Sequence, residues 1–133
     1  MAEISNSGLT RQLVPGGTWG NLTTQWKTFT LAAAAVADFV KVALIPAGSV
    51  VHDARFINAA LGASTTVKWG YKEDGGTTDD AYFLAATATN AAGNNRMASP
   101  KRFLKDTWII ATVGGAAATG VIEAVVDYVY EGI

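Results

Sequence analysis

The chain has 133 residues, a formal net charge of −1, 16% charged residues and no cysteine. That length supports one hydrophobic core rather than two, and such a core stands without covalent staples. The lack of cysteine excludes disulfides and cysteine-based zinc or iron–sulfur centres, and the sparse, balanced charge gives too weak a field for non-specific nucleic-acid binding.

The start of the chain has no basic segment followed by an apolar run, so no secretory signal is read there. The most apolar stretch, Leu31 to Ala37, falls far short of the ~20 residues a spanning helix needs. A soluble protein made in the cytoplasm is expected, with no membrane partner.

Residues 1–22 read as an extended arm. They carry Gly8, Pro15, Gly16, Gly17 and Gly20 and show no sustained period. The arm still holds Leu9, Leu13, Val14, Trp19 and Leu22, which gain by leaving water. They either fold back on their own domain or dock on a neighbouring chain; with Trp26 they are the candidate subunit-contact residues.

Residues 23–133 read as a β-sandwich domain. Thr24 to Leu31 is the first expected strand. Phe39 to Ile45 and Val50 to Asn58 follow, separated by Pro46-Ala47-Gly48-Ser49, where proline and glycine favour a tight reversal. In Thr65 to Lys72 the apolar residues Val67, Trp69 and Tyr71 alternate with polar ones, as in a half-buried strand. Asp79 to Leu84 suits a capped helical turn or a strand start, and Ala91 to Asn95 a loop. Trp108 to Val113 is a continuous apolar run, as in a central strand. The Gly/Ala segment 114–120 turns it into a last strand, Val121 to Tyr130, with Ile122, Ala124, Val126, Tyr128 and Tyr130 on one face. Short strands joined by glycine-rich turns imply an all-β, jelly-roll-like sandwich. The expected core is Phe39, Val42, Leu44, Phe56, Val67, Trp69, Ile110, Val126 and Tyr128.

Chemistry is sparse. His52, the only histidine, precedes Asp53, but neighbours on a strand point to opposite faces, which defeats a base-and-orienter pair. His52 is instead expected to share a face with Val50, Ala54 and Phe56, while Asp53 and Arg55 form a surface ion pair. The acidic loop Glu73 to Asp80 offers oxygens to calcium, yet its spacing does not match the alternating ligands of an EF-hand, and a solvated hairpin loop is expected. Lys101, Arg102 and Lys105 form the only basic cluster, read as a rim around an apolar contact. No catalytic residue, metal or cofactor is expected, and the chain reads as no enzyme.

The stretches Ile45-Pro46-Ala47-Gly48-Ser49-Val50-Val51-His52-Asp53-Ala54-Arg55 and Leu61-Gly62-Ala63-Ser64-Thr65-Thr66-Val67-Lys68-Trp69-Gly70-Tyr71 resemble a group of small virion proteins of tailed phages. Asp80 to Ala86 and Val113 to Gly120, followed by the Val/Tyr-rich last strand, extend the likeness over residues 38–133. The resemblance implies a capsid decoration, or cement, protein with a jelly-roll domain on the outer shell of the virion. It implies the major capsid protein as partner and self-association as a dimer or trimer. Two other jobs fit such a chain: a head–tail or tail-fibre component, and a carbohydrate-binding jelly roll stacking sugars on Trp69, Tyr71 or Trp26. A hydrolase built on His52 is a third reading with less behind it.

Overall fold

The computed structural model describes residues 3–4 and 22–131. Ten strands follow one another with no helix among the described residues: β1 (Glu3–Ile4), β2 (Leu22–Ala34), β3 (Phe39–Ile45), β4 (Ser49–Asn58), β5 (Thr66–Glu73), β6 (Thr78–Ala88), β7 (Gly93–Arg96), β8 (Lys101–Phe103), β9 (Thr107–Gly114) and β10 (Ala118–Tyr130). Sheet I has the order β1-β3-β9-β5-β6; sheet II has β2-β10-β4-β7, with β8 also on β4. The continuous apolar run of β9 lies between β3 and β5, as its composition requires.

Several local expectations change. The chain does reverse at residues 46–48, with Gly48 at φ 85°. It does not make a hairpin there, because β3 and β4 belong to different sheets. The turn is a corner that carries the chain across the sandwich, and the β9–β10 connection does the same. Asp79 to Leu84 lies wholly within β6. The expected loop Ala91 to Asn95 contains most of β7, which pairs with Arg55 to Asn58 of β4. Inside the arm, Glu3 and Ile4 pair in parallel with Phe39 and Val40, and the Glu3 carboxylate meets Lys41 Nζ at 3.2 Å. That part of the arm folds back on its own domain.

Two bulges reset the alternation. In β3 the register against β9 slips between Lys41 and Ala43, so the inward set passes from Val40 and Val42 to Ala43 and Ile45. In β4 the ladder to β10 skips His52, and the buried set passes from Ser49 and Val51 to Ala54, Phe56 and Asn58. One extra residue in a strand turns every later side chain over. Leu44 is therefore only half-buried, and Phe39, ahead of the slip, faces outward from Val40 and Val42 and is half-buried too, both against expectation.

The interior is aromatic at one end of the sheets. Phe56 stacks on Trp69 with ring centres 4.6 Å apart, and Tyr71 meets Phe103 edge-on at 5.1 Å. Val126 and Tyr128 are fully enclosed, while Val67, Trp69 and Phe56 are buried as expected. Rings of this size bury roughly 150–250 Å² each, several kcal/mol at about 25 cal/mol per Å². One polar clamp joins the sheets: the buried Gln25 amide donates to the Leu44 carbonyl at 2.7 Å and to the Tyr128 hydroxyl at 3.3 Å. At Gly70 the β6 backbone at Asp79 and Asp80 lies so close that a Cβ would collide with it. Glycine there lets β6 ride over the outside of sheet I.

Candidate assembly surfaces

Leu9, Leu13, Val14 and Trp19 lie outside the described residues. Leu22 and Trp26 stand on the outer face of β2, in rows opposite Val129 and Val125 of β10. Trp26 is 67% exposed, and its indole N–H donates to Glu123 Oε1 at 3.2 Å. Sheet II thus turns outward a band of half-buried residues, Val125, Val129, Val50 and Ile57, with Trp26 at its edge.

Charges frame this band. Asp53 and Asp127 are direct cross-strand partners, an arrangement that repels. Each is offset locally. Arg96 clamps Asp53 through Nε and Nη2 at 2.7–3.1 Å, and Thr24 donates to Asp127 at 2.7 Å. Hydrogen bonding from Arg96 is the main reason that the Asp53 carboxyl sits below its ordinary pKa. The same contact raises Arg96. This overturns the expected Asp53–Arg55 pair. It also leaves His52 exposed at the bulge rather than beside Ala54 and Phe56, with the neighbouring carboxylate turned to Arg96.

The outer face of sheet I is built differently. Ile110 points outward from β9 yet is only 2% exposed. Phe39 and Lys72 flank it, and the Lys72 ammonium lies 5.2 Å from the Phe39 ring centre. Lys41 sits over Trp108 at 5.0 Å. Lysine stems lie along apolar surface while their charged ends stay wet, so a second, thinner apolar layer forms on the outside. Ile110 belongs to that layer, not to the interior cluster. Two adjoining depressions of about 260 and 210 Å³ open here, sharing Asp80 and Thr112, and Lys68 meets Asp80 at 3.1 Å.

The remaining candidates disperse. Lys101 lies over Tyr71, Tyr82 and Phe103; Arg102 pairs with Glu131 at 3.1 Å; Lys105 donates to the Gly75 carbonyl. The acidic loop is internally tied, Glu73 accepting from the Thr77 N–H at 3.0 Å. No cluster of three or more metal-ligating side chains occurs among the described residues. Trp69 and Tyr71 are buried, which removes two of the three aromatics of a sugar platform. Burial also raises the Tyr71 pKa, with Asp79 and Glu73 adding to it.

No protein-family model and no curated protein sequence matches the chain. Three solved structures share its architecture. A chain of the capsid of Ralstonia phage GP4 aligns with a TM-score of 0.75 at 20% identity, over 98% of this chain and 99% of that one. A chain of the cyanophage Pam1 capsid asymmetric unit gives 0.66 at 20% identity, over 93% and 96%. A chain of the acid-stable capsid of Helicobacter pylori bacteriophage KHP30 gives 0.64 at 17% identity, over 84% and 89%. The fold is thus a two-sheet, jelly-roll-type sandwich of the kind these capsid chains adopt.

Proposed function

We propose that this protein is a structural component of a tailed-phage virion, and within it a decoration protein bound to the outer surface of the major capsid protein shell. The observation that carries this reading is the end-to-end correspondence with a capsid chain, 98% of one against 99% of the other. The decoration role draws support from the closed interior. The buried cluster of the described residues is drawn from both sheets of one chain, which supports a subunit able to fold before it binds. Binding only the assembled shell shifts its equilibrium by mass action, and many copies add up.

The arm contributes to docking in this proposal, with Leu9, Leu13, Val14 and Trp19 burying apolar surface against the shell alongside Leu22 and Trp26. Undecorated capsids mixed with the protein and sedimented are expected to carry it at a fixed ratio per capsomer. A chain that closes shells by itself would be the shell subunit instead. A few copies per particle would point to a connector or fibre, and no binding would sink the proposal. Deleting residues 1–20 removes β1 and its bridge to Lys41 but leaves both sheets. The truncated protein is expected to stay folded and to occupy capsids much more weakly; unchanged occupancy would move the contact to the sandwich faces.

A further inference from the structure

The outward side chains of sheet II stand in rows that run across its strands. Trp26, Val125 and Arg55 form one row, which Arg96 of β7 extends. Thr24, Asp127 and Asp53 form the next, two residues or about 7 Å along the strands. A basic row therefore lies beside an acidic one. The rows that flank this pair set Val129 beside Val50 on the acidic side and Glu123 beside Ile57 on the basic side.

Most charges on this face are answered within the chain. Arg96 holds Asp53, Glu131 pairs with Arg102, and Glu123 accepts from the Trp26 indole. Two charges lack a counter-ion. Arg55 is exposed and makes no ion pair among the described residues, and Asp127 accepts only from the Thr24 hydroxyl. One is a cation and the other an anion, and they stand in adjoining rows. The face is thus its own complement.

We propose that two copies of this chain pack through the outer faces of their sheets II about a two-fold axis that runs across the strands, between the acidic and basic rows, so that Arg55 of each copy meets Asp127 of the other. The charges choose the axis. A two-fold axis along the strands would lay each row on its own image, acid on acid and base on base. An axis across the strands interleaves the rows and brings Val50 of each copy toward Ile57 of the other. Four strands at about 4.8 Å and four rows at about 7 Å give a footprint on the order of 500 Å² per copy, so two copies together reach the ~1,000 Å² of a specific interface. This axis also keeps both β2 edges on one flank of the pair. Leu22 and Trp26 of both copies then lie together at its rim, where the proposed shell contact needs them.

The test uses the full chain and sedimentation velocity at several salt concentrations, with thermal melts as a check on folding. The wild type is expected to be a dimer that weakens several-fold as salt rises, because exposed ion pairs are screened. Arg55→Glu and Asp127→Arg are each expected to be folded monomers. Combining them restores opposite signs with the positions exchanged, and the double variant is expected to dimerise again. Lys72→Glu, on sheet I, is expected to leave the dimer intact. A monomeric wild type, or a dimer that survives Arg55→Glu, overturns the proposal. A folded double variant that stays monomeric overturns the pairing of Arg55 with Asp127. A monomeric wild type that still binds shells would refute this inference alone, and a dimer that binds no shell would refute the capsid reading alone.

Discussion

The two outer faces of the sandwich start from the same alternation and end in different states. On sheet II, half-buried outward valines lie beside Trp26, framed by the Arg96–Asp53 ion pair and by carboxylates that accept from Thr24 and from the Trp26 indole. On sheet I, an outward isoleucine is sealed by a phenylalanine and by lysine stems whose ammonium groups rest on rings. An outward position is therefore not equivalent to a wet one. What covers it depends on the length of the neighbouring side chains and on whether a strand such as β6 passes over it. A face sealed by its own lysines has less to gain from a partner than one whose valines remain half-open.

Substitutions can grade this contrast. The largest effect is expected in the interior that both sheets share. Val126→Asp places an unpaired charge in a fully enclosed site, at a cost of several kcal/mol, about the whole stability of a domain. Soluble, folded protein from that variant would mean that β10 faces the other way. Next come the two faces themselves. Ile110→Ala is expected to cost about 2–5 kcal/mol, as for an interior residue, and Val125→Ala about 1 kcal/mol or less. Equal losses in denaturant titrations would erase the distinction between the faces.

The smallest effect concerns the frame of sheet II. Asp53 has a folded pKa below its ordinary value of 3.8, chiefly through Arg96. A group depressed in this way contributes stability that is complete above its unfolded pKa and is lost as pH falls through the folded one. Asp53→Asn is therefore expected to melt slightly lower than wild type at neutral pH and to converge with it in acid below the ordinary carboxylate range. A gap that persists in acid would assign the loss to packing rather than charge.

Much of the architecture was legible in the chain. The bounds of β3 coincide with the reading of Phe39 to Ile45, and the inward faces of β5 and β10 follow their alternation. The bulges were not legible. Nothing in Val40-Lys41-Val42-Ala43-Leu44 says which residue is extra, because every candidate is apolar or long enough to serve either face. The same holds at His52, where the alternation looks continuous through the slip. Ile110 is buried as expected, but on the outer face of sheet I, since cover by lysine stems leaves no apolar trace in the sequence.

The corner connections bear on how the chain reaches this state. Among the described strands, β5 and β6 are the only neighbours in sequence that also share a ladder. Every other pairing waits for a partner that lies farther along the chain, often in the opposite sheet's part of the sequence. Closing such separations costs loop entropy before any contact returns it, which places folding at roughly the millisecond-to-second scale of non-local β topologies. The β5–β6 ladder is the one that can start locally, although an isolated hairpin is at best marginal in water. It brings Trp69, Tyr71 and Phe83 together, and those rings then give the later strands an apolar surface to condense on.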